Sequence, residues 1–362
     1  MSGRSSGGKS GRGSGGKSGG GSGGGSGGGS GGKSGGGSGG GSGGGSGGGS
    51  GGMQTETMKV GRHTVPLSNT GKVLFPDDGI TKGDLISYYA DVASWMLPPL
   101  RERPVAMARF PDGINGPRIF QKNVSAHFPD WITRVEVHKQ GGTLSQVVCD
   151  KPATLVYLAN QACIELHPFL SRVGRLEFPD QLIFDLDPAT ADQFGEARAT
   201  ALLLRDLLEK DLALTTFVKT TGGKGLHVQV PLSAEQDFET VRDFARQAAQ
   251  LLAARNPDLI TTEQRKDARG GPIYADVMRN AYAQTAVAPY SVRARPGATV
   301  AVPLHWDEVS DPKLSPARFN LRSVPDRLED LGTGGDPWAG MSRRRYSLVR
   351  PAKQLAALAG AR

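Results

Sequence analysis

The chain after residue 52 alternates between short apolar runs and turn residues, a pattern that predicts a mixed α/β protein. Thr81, followed three residues later by Asp84, resembles a helix-capping box, and apolar residues at helical spacing follow it. Pro98 and Pro99 are expected to end this helix. Strands are predicted between Gly, Pro and Asp turns at 105–110, 119–122, 131–137, 146–149, 164–166 and 181–186.

The second half of the chain adds helices and further strands. Helices are predicted over 151–162, 192–212 and 235–255. Strands are predicted at 215–219, 226–231, 273–277, 283–288 and 299–302. The residues beyond these are rich in proline and charge, and we expect them to wrap the body of the protein.

Residues 1–52 have a different composition from the rest, with 32 Gly, 14 Ser and a serine at every fourth position from Ser14 to Ser50. Such a segment cannot bury enough apolar surface to offset the entropy of ordering, so we expect a disordered tether. A sparse cationic arm along phosphates is the alternative. We therefore divide the chain into a Gly/Ser/Lys tail at 1–52, one large domain at 53–340 and a basic C-terminal extension at 341–362.

Charge and composition narrow the class of protein. Five of the 43 basic residues lie in the tail, which leaves 38 against 35 acidic residues, so the body is only weakly basic. No run approaches the roughly 20 apolar residues that span a bilayer, and no secretory signal opens the chain. Two cysteines are too few for a disulfide framework or a cysteine-based zinc site. We expect a cytoplasmic protein without a membrane partner.

The strand that ends at Pro188 carries the strongest local signal for a site. Side chains alternate between the faces of a strand, so Asp185 and Asp187 point the same way while their apolar neighbours enter the opposite layer. Neighbouring carboxylates repel each other unless a cation lies between them, and oxygen ligands suit Mg²⁺ or Mn²⁺. The spacing predicts a hard-metal site, with a solvated turn as the alternative.

A glycine-rich turn follows one helix later. Gly222, Gly223 and Gly225 permit positive φ and close backbone approach, so amide N–H groups can line an anion while Lys224 supplies charge. The turn lacks the Walker spacing. His227 could donate to a phosphate oxygen or be a core histidine. The pattern predicts a phosphate-binding loop, with an ordinary hairpin turn as the alternative.

Further downstream, Asp276 lies in an apolar strand, where an unpaired acid would be costly to bury. Arg293 and Arg295 lie on one face of an extended segment and suit bidentate phosphate contact, although either could form a surface ion pair. Three aspartates, a glycine loop and guanidinium groups are together the components of two-metal nucleotidyl transfer.

These motifs, in this order, resemble the polymerase domain of bacterial end-joining DNA ligase D, in the archaeo-eukaryotic primase superfamily. The resemblance spans roughly 67–309. It rests on Asp185-Leu186-Asp187, Thr221–His227, Asp276 with Arg279-Asn280, and Ala288–Arg293. It implies a primase-polymerase fold, in which two packed β-sheet and helix subdomains surround a catalytic cleft and the catalytic platform is similar to an RNA-recognition motif.

The resemblance also implies roles for individual residues. Two Mn²⁺ or Mg²⁺ ions are expected on Asp185, Asp187 and Asp276. An NTP or dNTP is expected to contact Thr221, Gly222, Gly223, Lys224, Gly225, His227, His167, Arg293 and, more weakly, Arg109. A DNA 5′-phosphate and the template are expected at Asn69, Lys72, Lys82 and Phe120, with Lys122 as a weaker candidate. Exposed lysines are ordinarily just solvated, which is the alternative for Lys82.

The chain departs from the family pattern at two positions. Thr221 stands where serine is usual and keeps the hydroxyl. Ile119 stands where a second aromatic residue is common, which removes one surface for template stacking.

The implied function is template-dependent nucleotidyl transfer that fills short gaps at 5′-phosphorylated DNA ends in non-homologous end joining, with ready use of ribonucleotides. The implied partners are DNA with recessed or gapped ends, Ku and a separate ATP-dependent DNA ligase, at the bacterial nucleoid. A primase that starts strands de novo, a non-catalytic DNA-end-binding or bridging module, and a two-metal nuclease are the alternatives. Ligase chemistry is excluded at Pro111-Asp112-Gly113, because Phe110 occupies the position of the nucleophilic lysine.

Overall fold

A computed structural model describes residues 56–361. The predicted Gly/Ser/Lys tail at 1–52 lies outside the described residues. The described chain has a mixed α/β architecture, as the hydrophobic pattern predicts. Within it no helix is both long and apolar enough to cross a membrane.

The N-terminal part contributes two small hairpins and two helices. The hairpins pair β1 (Thr57–Val60) with β2 (His63–Pro66) and β3 (Val73–Phe75) with β4 (Ile80–Thr81). They are followed by α1 (Lys82–Asp91) and α2 (Ala93–Leu100).

The predicted capping box is present, since the Thr81 hydroxyl accepts from the Asp84 amide and the Asp84 carboxylate accepts from the Thr81 amide. Pro98 and Pro99 end the helical region as predicted, although both lie within the final turn of α2, and the single predicted helix is divided at Val92 into α1 and α2. The prolines remove two backbone donors there, so the helix stops just after them, at Leu100.

A five-stranded antiparallel sheet forms the first half of the cleft. Its strands are β5 (Pro104–Arg109), β6 (Ile119–Gln121), β7 (Arg134–Lys139), β8 (Gly142–Val148) and β9 (Cys163–Pro168). β5 is central, with β6 and β8 along one edge and β9 along the other. Helix α3 (Pro152–Asn160) connects β8 to β9 and packs against α1.

A six-stranded sheet forms the second half. Its strands are β10 (Gln181–Asp187), β11 (Phe217–Thr220), β12 (Leu226–Pro231), β13 (Ile260–Thr261), β14 (Ile273–Asp276) and β15 (Pro303–Leu304). The spatial order is β13-β14-β10-β12-β11-β15, so β10 lies between β12 and β14. Helices α4 (Phe194–Asp206) and α5 (Phe238–Arg255) both contact β10. Leu182, Phe184 and Leu186 of β10 are buried in the main core together with side chains of both helices.

The C-terminal part contains α6 (Trp306–Ser310), α7 (Ser323–Leu331) and α8 (Val349–Gly360). The strands predicted at 283–288 and 299–302 are wrong, because the chain there forms only isolated bridges to Phe169, Val292 and Asn320. Ala283 and Ala298 have φ of 58° and 43°, so the backbone turns at the start of the first segment and directly before the second, and neither segment extends along a neighbouring strand.

Candidate active site

The pairing of β10 with its neighbours brings the predicted acids together. In the antiparallel register of β10 and β14, Asp185 lies opposite Asp276, and residues that face each other in this way share one face of the sheet. Asp187, two residues further along β10, is on the same face. The three aspartates, some 90 positions apart in sequence at the extremes, therefore converge on one end of the sheet.

The same register continues in the other direction. Asp185 lies opposite His227 of β12, and His227 lies opposite Lys219 of β11. Lys219, His227, Asp185 and Asp276 thus form one row across four adjacent strands, which we call the polar row. Lys219 is a member that sequence reasoning missed; its only signal is its position three residues before Gly222, the first glycine of the turn.

A buried amide holds the acid-bearing strand in place. The side chain of Asn280 accepts from the Ile183 amide at 2.9 Å and donates to the Ile183 carbonyl at 2.7 Å. Its NH₂ group also donates to the Val277 carbonyl at 2.9 Å. Because Asn280 is fully buried, these bonds fix the end of the loop after β14 to the middle of β10.

Three cationic side chains and one imidazole surround the acids at distances too long for close ion pairs. Asp185 lies 3.5 Å from His227 and 3.7 Å from Arg279. Asp187 lies 3.9 Å from Lys224 and 3.8 Å from Arg269. Charge-assisted hydrogen bonds are typically about 2.7–2.9 Å long, so these carboxylates keep oxygen lone pairs free.

The two register-paired acids have opposite pKa shifts. Burial would raise the pKa of Asp185, but His227, Arg279 and Lys219 outweigh it and hold the value below the ordinary range. Burial, with the Asp185 charge adding to it, raises the pKa of Asp276. The Asp276 carboxylate accepts from the Met278 amide at 2.7 Å. The pair is therefore short of positive charge on the Asp276 side.

The carboxylates suit a hard divalent cation, whose preferred ligands are oxygens. Within residues 56–361, no group of three or more His, Cys, Asp or Glu side chains is close enough as it stands to hold a metal ion. The donor types, their shared face and their free lone pairs nevertheless fit such an ion.

The glycine turn is closed by its own threonine. The Thr221 hydroxyl donates to the Gly225 carbonyl at 3.1 Å and accepts from the amides of Gly223 and Gly225. Two of the amides expected to line an anion are therefore engaged within the turn. The Lys224 ammonium lies beside Asp187 and donates to the Ala189 carbonyl at 2.6 Å.

Two glycines of the turn leave no room for a side chain. A Cβ at Gly225 would lie 2.2 Å from the Leu186 carbonyl oxygen. Gly222 has φ 61°, and a Cβ there would lie 2.7 Å from Cγ of Arg293. The turn is thus pressed against the acid-bearing strand on one side and Arg293 on the other.

Glu165 links several of the predicted nucleotide contacts, and sequence reasoning missed it. This buried residue of β9 accepts from Nε of Arg293 at 3.0 Å and from the Ala294 amide at 3.1 Å, and lies 3.0 Å from Nε2 of His167. Arg293 also donates to the Thr221 carbonyl at 2.6 Å. Glu165 therefore joins the five-stranded sheet to the glycine turn. Its one sequence signal is the two-residue spacing from His167, which puts both on one face of β9.

Burial would raise the pKa of the Glu165 carboxyl, but the hydrogen bond from His167 and the charge of Arg293 hold it well below its ordinary range. Burial lowers the pKa of His167 despite its acidic partner. Glu165 is therefore a fixed negative charge that orients two side chains.

The remaining nucleotide candidate, Arg109, lies at the end of β5 and is bonded within the five-stranded sheet. It donates to the Gln161 carbonyl and to the Gln121 side chain, both at 2.9 Å. Lys122, the weaker candidate, reaches the Ala283 carbonyl at 3.5 Å.

Phe120 forms an exposed aromatic surface at the cleft. Its side chain is 43% exposed on β6, next to the exposed Ile119. Arg118 lies over the Phe120 ring at 4.9 Å, and the ring contacts His167 edge to face at 5.6 Å. A ring with one face open can stack on a base.

The three residues predicted to hold a 5′-phosphate flank the β3–β4 hairpin. Asn69 has φ 50° and accepts through its carbonyl from the Lys72 amide, and the Lys72 carbonyl accepts from the Lys82 amide. Lys82 is only 5% exposed, so the solvated alternative for this residue is wrong. Burial, and next the charge of Lys72, lowers the pKa of Lys82. The Lys72 ammonium pairs with Asp112 at 3.0 Å, whereas the Lys82 ammonium, within the described part of the chain, donates only to the Ser68 hydroxyl, at 3.3 Å, so an anion would stabilise Lys82 above all.

A cavity of about 370 Å³ lies at the other end of β10, beside Gln181, and is lined in part by Trp95, Tyr290 and Trp338. None of the predicted site residues lines it.

Comparison with known proteins gives concordant matches. The family model for the LigD primase-polymerase domain matches residues 81–338. The chain is 36% identical over 258 residues to the multifunctional non-homologous end joining protein LigD of Mycobacterium bovis. The aligned region covers 69% of this chain and 34% of that protein. The chain is also 33% identical over 282 residues to the bifunctional LigD of Bacillus subtilis, covering 76% and 45%. The chain thus spans less than half the length of these relatives.

Among solved structures, the chain is similar to the polymerase domain of Mycobacterium tuberculosis ligase D in complex with DNA. The TM-score is 0.72 at 33% sequence identity, with 78% of this chain and 99% of that chain covered. This match confirms the predicted primase-polymerase fold.

The contacts of Glu165 with Arg293 and His167 lead to a prediction about stability. Glu165→Gln removes the charge that pairs with Arg293 and His167, and we expect the free energy of unfolding at neutral pH to fall by about 2 kcal/mol in urea titrations. Because the folded pKa of Glu165 is depressed, its contribution is present above its ordinary value of 4.5 and is lost as the pH falls below it. The difference between wild type and variant should therefore shrink in acid.

Glu136→Gln is the matched control, since Glu136 is an exposed strand residue of the same sheet. It should change the free energy of unfolding by less than about 0.5 kcal/mol. Equal effects of the two substitutions would contradict the role given to Glu165.

Proposed function

Because the chain belongs to the family of LigD primase-polymerase domains, a DNA-directed nucleotidyltransferase family, we propose that it extends DNA strands by template-dependent nucleotidyl transfer. Its substrate is a short gap at a 5′-phosphorylated end during non-homologous end joining. Residues 53–340 are the catalytic unit of this proposal, with 341–362 as a basic extension.

The observation that carries the proposal is the register that sets Asp276 opposite Asp185, on the face also occupied by Asp187 and beside the glycine turn. This family generally uses divalent metal ions. Asp185, Asp187 and Asp276 would hold two of them, Mn²⁺ or Mg²⁺. When bound, such ions lower the pKa of a primer 3′-hydroxyl and neutralise charge on the triphosphate.

The chain's own residues would hold and orient the nucleotide. Lys224 and Arg293 lie on either side of the glycine turn and offer positive charge to the triphosphate and to the departing pyrophosphate. Glu165 keeps the guanidinium of Arg293 against the turn, so its direction is set before the nucleotide arrives. The Thr221 hydroxyl closes the turn, and binding a phosphate there requires the Gly223 and Gly225 amides to exchange it for the ligand.

His227 and His167 complete the nucleotide site. Burial, with the charge of Lys219 adding to it, lowers the pKa of His227 to about 4, so the imidazole is neutral near pH 7. Its Nδ1 is buried without a hydrogen-bond partner in the described structure, which leaves an atom available to a ligand. Arg109 approaches from the end of β5 as a further contact.

DNA would be held on the side of the five-stranded sheet. Lys72 and Lys82, with Asn69, would take the 5′-phosphate, because backbone hydrogen bonds link the three residues beside the β3–β4 hairpin and both lysines carry positive charge. Phe120 would stack on a template base, with Ile119 adding apolar contact but no π-face.

In the cell, the protein would act in the bacterial cytoplasm, at the nucleoid. Ku and a separate ATP-dependent DNA ligase are the proposed protein partners, the first to present the ends and the second to seal them. Both ribonucleotides and deoxyribonucleotides are proposed substrates.

Primer extension on gapped DNA tests the reaction. Asp185→Asn should lower extension by roughly a hundred- to thousandfold, because an amide cannot replace the carboxylate charge. Binding of gapped DNA, measured by fluorescence anisotropy, should be unchanged. The matched control is Asp192→Asn, an exposed aspartate in the turn region after β10, which should extend like wild type.

The outcomes distinguish the alternatives. Wild-type protein that binds DNA but incorporates no nucleotide would be a bridging module. Synthesis on a template without a primer would identify a primase, and loss of nucleotides from the primer end would identify a nuclease. Substantial extension by the Asp185 variant would contradict the assigned site.

The 5′-phosphate site is tested by comparing gaps with and without that phosphate. Lys82→Met should lower extension on the phosphorylated gap by roughly tenfold and leave extension on the 5′-hydroxyl gap unchanged, because one charge-assisted contact is lost. Lys313→Met, at an exposed lysine, is the control and should alter neither substrate. An equal loss on both substrates would instead indicate general damage.

A further inference from the structure

A lysine without a close anionic partner lies in the polar row. Lys219 is 0% exposed, in a strand whose four residues are all buried. Within residues 56–361, the recorded hydrogen bonding of its ammonium is one long contact of 3.4 Å, to the Thr220 carbonyl. An ammonium has three donors, so this group is poorly satisfied for its depth.

The charges that face Lys219 come from three segments. Asp185 of β10 favours its protonated form, Arg293 opposes it, and the ring of His227 lies opposite it in the register. Burial first, and Arg293 next, lower the pKa of Lys219 to about 7. The ammonium therefore persists mainly because of the negative charge on Asp185.

The distance is short enough for Lys219 to affect an ion at the acids. It lies two strands from β10, or about 10 Å at the backbone, and its side chain is on the face where Asp185 and Asp276 meet. The charge is buried, so solvent and salt screen it weakly. Lysine cannot coordinate a metal while protonated, which leaves repulsion as its effect on a divalent cation.

We propose that the ammonium of Lys219 weakens divalent-ion binding at the aspartates, because it supplies a buried positive charge that balances Asp185 before an ion arrives. This inference rests on the proposed function of the same site. It explains why a buried lysine is present in a row that is otherwise acid and imidazole. It also predicts that replacing Lys219 tightens the binding of a divalent ion, whereas structural damage would weaken that binding.

The test is calorimetric titration of Mn²⁺ into the protein without nucleotide or DNA, at about pH 6, one unit below the pKa of Lys219, so that the ammonium is charged. Lys219→Met should bind Mn²⁺ more tightly, by up to about tenfold. In wild type the Lys219 ammonium can release its proton when Mn²⁺ binds, and at one pH unit below its pKa this release costs a factor of about ten in affinity, which sets the upper limit of the effect. Lys219→Gln, also neutral, should behave in the same way and serves if the Met variant does not fold. Lys313→Met should bind like wild type.

Thermal unfolding accompanies each titration. A purely structural lysine would lower both the unfolding temperature and the Mn²⁺ affinity when replaced, which would overturn the inference, as would unchanged affinity in both neutral variants. Absence of Mn²⁺ binding to wild type, or binding that survives Asp185→Asn, would overturn the proposed metal site as well. Failure of this inference is thereby separated from failure of the proposed function.

Discussion

The antiparallel register of β10 with β12 and β14 is the constraint on which the site depends. It sets Asp185 opposite His227 on one side and Asp276 on the other. A shift of one residue in either pairing would move the partner to the opposite face of the sheet, into the hydrophobic core. The buried core residues Phe184 and Leu186 and the two bonds from Asn280 to Ile183 oppose such a shift, so packing fixes the chemistry.

Charge balance joins the two halves of the cleft. The acids on the six-stranded sheet are surrounded by three cations and the His227 imidazole at 3.5–3.9 Å, whereas Glu165 on the five-stranded sheet holds Arg293 at 3.0 Å. The first set is loose enough to rearrange around ligands. The second is close and buried, so it keeps the glycine turn and His167 in fixed relative positions. A site that binds metal ions and a triphosphate needs both properties.

The sequence predicted local features well because they depend on neighbouring residues. Alternation in β10 gave the shared face of Asp185 and Asp187, and the Thr81 capping box predicted the start of α1. The pairing of Asp185 with Asp276 is nonlocal, and the grouping of the three aspartates rested on their chemistry and on resemblance to a family rather than on any local pattern. Glu165 and Lys219 were missed because no local pattern distinguishes a buried charge from an exposed one. The apolar segments at 283–288 and 299–302 had strand composition but found only isolated partners, since tertiary context decides whether a ladder forms.

The most direct test of the account is a crystal structure of the protein soaked in Mn²⁺, with anomalous scattering used to locate the metal. The account predicts Mn²⁺ coordinated by carboxylate oxygens of both Asp185 and Asp276, on the face that also carries Asp187. Manganese bound elsewhere, or bound to Asp185 while the Asp276 carboxylate points away, would contradict it.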